Sequence, residues 1–120
     1  MTKKILIIED DPTIFQVYLD LFRKKGVEVI NAKTGADGIT LINSEKPDLI
    51  ILDIMLPGGM NGFDVLEKVE ANPETKGIPV IVLTNLDSEE QVAKIIGAKK
   101  YFVKANTTAD EVLKAAFSYL

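Results

Sequence analysis

Side chains that could take part in chemistry directly follow four of the five apolar runs of this 120-residue chain. They are Glu9, Asp10, Asp11, Asp53, Thr84 and Lys104. Clustered carboxylates repel each other unless they share a proton or bind a hard cation such as Mg²⁺. An ionised carboxylate can also attack a phosphoryl group while an ammonium and a hydroxyl donate hydrogen bonds to the phosphoryl oxygens. The set therefore predicts phosphoryl transfer, provided that the fold brings these residues together.

Asp53 is the strongest candidate for the nucleophile, because it directly follows an unbroken apolar run and precedes three further apolar residues. A carboxylate at the edge of a core is costly unless it is paired or binds a metal. Asp10 and Asp53 could supply carboxylate ligands to Mg²⁺, and the backbone carbonyl of Met55 could supply a further oxygen. Thr84 and Lys104, each taken alone, could equally be an ordinary turn hydroxyl and a solvated lysine.

The composition excludes several other chemistries. The chain has no Cys and no His, which excludes disulfides, His-ligated zinc, Ser-His and Cys-His nucleophiles and a phosphohistidine carrier. With 14 Lys+Arg against 18 Asp+Glu the formal charge is −4, which disfavours binding to a nucleic acid backbone. The apolar runs are far shorter than a membrane span or a signal-peptide core, so we expect a cytoplasmic protein with no membrane partner.

Five apolar runs predict the strands that would position the site. They occupy residues 5–8, 27–30, 49–52, 80–83 and 101–103. Unbroken runs rich in β-branched residues are typical of strands buried on both faces of a parallel sheet, and only the second run alternates. Helical periodicity of apolar residues separates consecutive strands and also follows the last one. We therefore predict five strand-helix units.

Capping signals mark the boundaries of the predicted helices. Asp11 before Pro12 indicates the start of the first helix, and Gly26 indicates its end. A cap is also the simplest explanation of Asp11, ahead of any ligand role. The remaining signals are two capping-box matches, Asp87 with Glu90 and Thr108 with Glu111.

Five strand-helix units in a chain of this length predict an α/β fold with helices on both faces of an open parallel sheet. We expect one domain over residues 1–120, since no linker, repeat or low-complexity segment interrupts the pattern. Ligands of such sheets bind beyond the carboxyl ends of the strands. The candidate residues all follow strands at that end, so residues far apart in sequence would converge on one edge.

Five segments carry a resemblance to a known family. They are KILIIEDDPTI, PDLIILDIMLPG, GFDVLEKV, IPVIVLTN and KKYFVK. Over essentially its whole length the sequence resembles the receiver domains of bacterial two-component response regulators. The resemblance implies a doubly wound, flavodoxin-like sheet of five parallel strands in the order 2-1-3-4-5, with five helices.

The resemblance also implies a role for each candidate residue. These roles are Asp53 as the phospho-acceptor, Glu9 and Asp10 as the acidic pair that binds Mg²⁺ with Asp53 and the Met55 carbonyl, Lys104 as the phosphate-pairing lysine, and Thr84 and Tyr101 as switch residues. An aromatic residue in an edge strand is, by itself, more often part of the core. The resemblance favours a switch in which Tyr101 swings inward as Thr84 is drawn to the phosphoryl group.

Partners follow from the same resemblance. The phosphoryl donor would be a sensor histidine kinase or a phosphotransfer protein. The downstream target would be a protein that binds the face formed by the fourth helix, the fifth strand and the fifth helix, with homodimer formation on phosphorylation left open. Such a protein is a switch that catalyses only its own phosphorylation and dephosphorylation, and is not an enzyme for other substrates.

Three positions depart from the family pattern. Ala105 follows Lys104 where receivers usually have proline; a cis bond before a non-proline residue costs about 2.5 to 4 kcal/mol, so we predict a trans peptide and a reshaped loop. The segment LPGGMNG after Asp53 has one glycine more than is common, which lengthens that loop. Asn85 replaces a small residue after Thr84, which would narrow access to the acyl phosphate.

Two alternatives remain open. A pseudo-receiver, which is an interaction module that is not usefully phosphorylated, is suggested by Ala105 and the longer loop, although the acidic and phosphate-pairing positions are intact. A flavin-binding protein of the same fold class is disfavoured, because EDDP after the first strand would repel phosphate. Since the sequence ends at Leu120 inside the last predicted helix, we expect either a stand-alone receiver or a piece of a longer protein, with no output domain here.

Overall fold

Five strands and five helices alternate along residues 2–120, which are the residues that the computed structural model describes. In chain order they are β1 (Lys4–Ile8), α1 (Pro12–Lys24), β2 (Glu28–Ala32), α2 (Gly35–Glu45), β3 (Leu49–Leu52), α3 (Gly62–Ala71), β4 (Val80–Thr84), α4 (Glu90–Ile96), β5 (Lys100–Val103), a 3₁₀ turn (Lys104–Asn106) and α5 (Ala109–Tyr119). The prediction of five strand-helix units is confirmed. Within these residues no helix has the length and apolar character needed to cross a membrane.

All five strands are parallel and lie in the order β2-β1-β3-β4-β5. This is the doubly wound, flavodoxin-like sheet that the resemblance implies, and its strand order reverses between β1 and β3. These two strands are neighbours in which Ile8 is the register partner of Leu52. The next residues are Glu9 and Asp53, so the register places two carboxylates side by side at the carboxyl edge of the sheet.

The sheet is buried on both faces, which explains why its apolar runs do not alternate. Leu6 and Ile8 belong to a core cluster shared with α2, α3 and α4, whereas Ile5 and Ile7 belong to a second cluster shared with α1 and α5. Successive strand residues point to opposite faces, so each residue of a central strand must be apolar. The loops that carry the site therefore begin at the ends of close-packed strands, which hold them in place.

The second strand begins later and ends later than predicted, at Glu28–Ala32 instead of 27–30. β2 is an edge strand, and Ala32 is its one buried residue. A strand that is only partly covered does not need a continuous apolar run, so the run marks its ends poorly. Asn31, expected to lie beyond the strand, is inside it.

Asp11 caps α1 as predicted. Its Oδ1 accepts hydrogen bonds from the backbone N–H groups of Thr13 and Ile14, at 2.8 and 3.3 Å. Gly26 lies just beyond the end of this helix with φ of 77°, a conformation that glycine adopts without strain. At the other end of the chain Thr108 caps α5 as predicted.

The capping box predicted for Asp87 and Glu90 is wrong. Helix α4 begins at Glu90 itself, its N-cap residue is Glu89, and no side chain bonds the N-terminal backbone of the helix. Asp87 therefore lies before the cap, so the matching spacing is accidental. A true capping box occurs at α3, where Asn61 and Asp64 each bond the other's backbone N–H at 3.0 Å.

Candidate functional site

Lys104 joins the two buried carboxylates at the edge of the sheet. Its Nζ lies 2.6 Å from Glu9 Oε1 and 2.7 Å from Asp53 Oδ2, and 14% of its side chain is exposed. Burial by itself lowers the pKa of Lys104, but hydrogen bonds to Asp53 and Glu9 outweigh burial and raise that pKa above its ordinary value. The ammonium is therefore held in its charged form, with two of its three N–H donors in use.

Glu9 is the carboxylate that burial disfavours most clearly. The residue is 3% exposed. Burial raises the pKa of Glu9, and the hydrogen bonds that it accepts from Lys104 and from the backbone N–H of Asp11 only partly offset this. Ionised Asp53 adds to the rise. Glu9 therefore holds a proton more tightly than an ordinary glutamate, which favours a cation beside it.

Both oxygens of the Asp53 carboxylate have fixed donors. Oδ1 accepts the backbone N–H of Met55 at 3.0 Å, and Oδ2 accepts Lys104. The backbone N–H of Asp53 donates to the carbonyl of Ile8 at 3.0 Å, so the residue is tied to β1 as well as β3. With 5% of the residue exposed, the orientation of this carboxylate is set by contacts with the chain itself.

Glu9, Asp10 and Asp53 can converge on one cation. Each offers a carboxylate oxygen, and these oxygens lie within 4.8 Å of one another. Asp10 is exposed while the other two are buried, so the cluster opens toward solvent on the Asp10 side. Three carboxylates exceed the single charge of Lys104, and hard oxygen ligands suit a divalent cation. The part predicted for the Met55 carbonyl stays a prediction.

A chain of contacts connects Thr84 with Tyr101. Thr84 is fully buried at the end of β4, and its Oγ1 accepts the backbone N–H of Leu86 at 3.3 Å. The carbonyl of Leu86 accepts the Tyr101 hydroxyl. Tyr101 is 9% exposed, so its side chain is largely buried, and the inward swing that the resemblance implies on phosphorylation stays a prediction. The Leu86 peptide thus lies between the two predicted switch residues.

Two residues that support the site were not predicted from the sequence. Asn31 Nδ2 donates to the carbonyl of Ile7 at 2.8 Å and to that of Glu9 at 3.3 Å, and so ties β2 to the loop that carries the acidic pair. Gly62 packs against the backbone of Asp53, where an added Cβ would lie 2.3 Å from the Asp53 carbonyl oxygen. For Asn31 the sequence offers only a weak signal, which is a polar residue in a strand next to an acidic loop. For Gly62 it offers no signal.

Lys104 lies in the site despite the departures from the family pattern. No cis peptide bond occurs within residues 2–120, so the peptide before Ala105 is trans as predicted. Lys104–Asn106 forms a single 3₁₀ turn, and the lysine still reaches both carboxylates. The additional glycine is accommodated because Gly58 and Gly59 adopt φ of 88° and 87°, which few other residues tolerate.

The fold and the site define a class of protein: a doubly wound α/β domain with a lysine-bridged acidic cluster at the carboxyl edge of its sheet. Residues 5–117 match the family described as Response regulator receiver domain. Protein PilH of Pseudomonas aeruginosa is 38% identical over 103 residues, which are 84% of each chain. The chain therefore belongs to the response regulator receiver domains, the signalling modules of two-component systems.

Solved structures of receivers have the same fold. The BeF3-activated N-terminal receiver domain of Klebsiella pneumoniae RstA has a TM-score of 0.88 and 30% identity, covering 98% of this chain and 97% of that chain. The Mn²⁺-bound form of response regulator Rcp1 has a TM-score of 0.80 and 25% identity, covering 97% and 90%. The flavodoxin-like fold predicted from the sequence is confirmed.

Proposed function

We propose that this chain is a phosphorylation-dependent switch in which Asp53 accepts a phosphoryl group. The donor is a phosphohistidine on a sensor histidine kinase or a phosphotransfer protein, so the P–O bond to Asp53 forms as the P–N bond to the imidazole breaks. The observation that carries the proposal is the Lys104 ammonium, which lies 2.6 and 2.7 Å from the two buried carboxylates. Membership of the receiver family supports the same reaction.

The side chains around Asp53 have separate parts in this reaction. Asp53 needs no general base, because an ionised carboxylate is already a nucleophile. Lys104 orients that carboxylate and offers positive charge to the phosphoryl oxygens as charge develops on them. Thr84, buried one strand away, accepts the Leu86 N–H and can also donate its hydroxyl proton to a phosphoryl oxygen.

We expect the acidic cluster to bind Mg²⁺ through Glu9, Asp10 and Asp53. The fit rests on their three carboxylate oxygens, which lie within 4.8 Å of one another, and on the tendency of such clusters to need a cation. The Mn²⁺-bound form of Rcp1 supports a divalent cation in a related receiver. When bound, Mg²⁺ supplies positive charge that offsets the charge of the phosphoryl oxygens.

A downstream protein binds the face formed by α4, β5 and α5, which changes on phosphorylation. Phosphorylation adds about −1.5 to −2 charges at Asp53. We expect Thr84 to respond to this charge, and a chain of contacts runs from Thr84 through Leu86 to Tyr101 on β5. Ile95 on α4 is 83% exposed, so this face has an apolar residue available to a downstream protein or a second copy. We propose that residues 1–120 form one receiver domain that acts in the cytoplasm and does not bind nucleic acid.

Intact mass after incubation with acetyl phosphate tests the proposal. The parent is expected to gain one phosphoryl group only when Mg²⁺ is present, and Asp53→Asn is expected to gain none. Asp20→Asn is the matched control, because Asp20 is an exposed aspartate on α1. No gain by the parent under any condition would contradict the proposal and favour the pseudo-receiver, and Ala105→Pro would then be the next variant.

A further inference from the structure

A small cavity lies beside the Lys104 site, between α1 and the end of β4. It has a volume of ≈ 230 Å³. Its lining residues are Ile14, Val17, Tyr18, Leu83 and Lys104. An apolar cavity of about 150 Å³ is large enough for benzene, so this one has room for a single substituted ring. Its three aliphatic side chains provide an apolar wall.

The Tyr18 hydroxyl is the first polar group that a ligand would meet. Tyr18 is 7% exposed. Burial and the charge of Glu9 raise the pKa of Tyr18, the charge of Lys104 opposes this, and no hydrogen bond contributes. Within residues 2–120 every fully buried polar side-chain atom has a partner, so this hydroxyl, which has none, is accessible to solvent, and Tyr18 lines the cavity. Buried tyrosine hydroxyls usually have a partner. A ligand can supply the missing one.

Lys104 is the second polar residue that lines the cavity, and its ammonium has a third N–H donor. Glu9 and Asp53 occupy the other two donors, and the three side chains together carry a charge of −1. An anionic ligand would therefore gain little, and a cationic one would compete with Lys104 for the carboxylates. A neutral oxygen, which can accept from the ammonium and bond the Tyr18 hydroxyl, suits both groups.

We propose that this cavity binds a neutral, single-ring compound that carries a hydroxyl group. The ring lies against Val17 and Leu83, and the hydroxyl bonds Tyr18 and Lys104. The site adjoins the acidic cluster through Lys104, and binding needs neither a phosphoryl group nor a metal ion.

Titration with phenol, followed by amide NMR shifts of the metal-free parent, tests this site. We expect saturable shifts at Val17, Tyr18 and Leu83 with a dissociation constant of roughly millimolar size, as expected for a ligand of so few atoms. Tyr18→Phe should weaken phenol binding about fivefold, because it removes one hydrogen bond. Toluene has the same shape without the hydroxyl, so its binding should not change in Tyr18→Phe.

Two tryptophan variants supply a control that does not involve Tyr18. Val17→Trp fills the cavity and should abolish phenol binding, whereas Val92→Trp on α4 should leave it unchanged. The two valines are matched, being 47% and 44% exposed, so both variants should fold. Shifts that do not saturate, equal weakening of phenol and toluene, or phenol binding that survives Val17→Trp would overturn the proposal. None of these outcomes bears on the phosphorylation of Asp53.

Discussion

Gly62 lies so close to Asp53 that any Cβ at position 62 would stand 2.3 Å from the Asp53 carbonyl oxygen and 2.6 Å from Ile54 Cα. Its own N–H donates to the Ile54 carbonyl at 2.9 Å. The start of α3 therefore fixes the backbone of the proposed phospho-acceptor by direct contact, and a glycine is required there for space and not for backbone conformation.

We expect Gly62→Ala to lower the free energy of unfolding by about 2 to 4 kcal/mol, because the backbone atoms of Asp53 and Ile54 cannot move away at low cost. Urea denaturation measures this change. Gly77→Ala is the control, since nothing lies within 4 Å of a Cβ at that position; it should change the free energy by no more than about 0.5 kcal/mol. Equal effects of the two substitutions would contradict the role given to Gly62.

Lys104 should make the stability of the chain sensitive to alkaline pH. Its pKa is raised in the folded state, so its stabilising effect is complete below the ordinary value of 10.5 and is lost as the pH rises through the folded pKa. Lys104→Met should lower the free energy of unfolding by about 2 to 3 kcal/mol at neutral pH, because it leaves two buried carboxylates without their cation.

The difference in melting temperature between the parent and Lys104→Met should stay constant up to about pH 10.5 and shrink above it. Circular dichroism melts from pH 8 to 11.5 measure this difference. Lys94→Met removes an exposed ion pair with Glu90 and should have little effect at any pH. A difference that grows with pH would mean that Lys104 is not held by the carboxylates.

Glu9 should have an effect of the same sign at acidic pH. Its pKa is raised in the folded state, so the folded chain holds this proton more tightly than the unfolded chain. The contribution is stabilising below the ordinary value of 4.5 and is lost as the pH rises through the folded pKa. In the presence of a chelator, the melting temperature of Glu9→Gln relative to the parent should therefore increase across that window. Glu67→Gln, at an exposed position on α3, should show no such trend.

The acidic cluster should also make the domain respond to magnesium. Without a divalent cation, Asp10→Asn should melt at a higher temperature than the parent, because it removes one of three mutually repelling carboxylates. Mg²⁺ at ten times its dissociation constant should raise the melting temperature of the parent by roughly 4 to 8 °C, which corresponds to about 1.4 kcal/mol. Asp10→Asn should respond much less. Unchanged melting in both experiments would mean that the carboxylates do not form a metal site.

The sequence predicts the fold well because the central strands are unbroken apolar runs, and parallel sheets place whatever follows such runs at one edge. That rule alone brings Glu9, Asp53 and Lys104 together. Contacts between backbone segments that are distant in sequence cannot be predicted in this way. Gly62 supports the site because it packs against the carbonyl of a residue nine positions earlier in the chain. Asn31 supports it because its side chain donates to the backbone carbonyls of Ile7 and Glu9. Neither contact leaves a periodic or compositional signal.

Met55 and Leu86 should govern how long a phosphoryl group survives on Asp53. They follow Asp53 and Thr84 by two residues each; Met55 is 59% exposed, and Leu86 is half-buried against the core. If phosphorylation proceeds as proposed, these apolar side chains exclude water from the acyl phosphate. We expect the double variant Met55→Asn, Leu86→Glu to shorten the phosphoryl lifetime several-fold, because polar groups there would hold water near the phosphorus atom.

Loss of the added phosphoryl mass with time, after acetyl phosphate is removed, measures that lifetime. A double variant on α4, Val92→Asn with Ile95→Glu, is the control, because it makes the same kind of change at two apolar residues, both of them exposed. Its lifetime should equal that of the parent, since neither residue follows the strands that carry Asp53 and Thr84. A lifetime in the Met55 and Leu86 variant that is unchanged or longer would show that water reaches the acyl phosphate by another route.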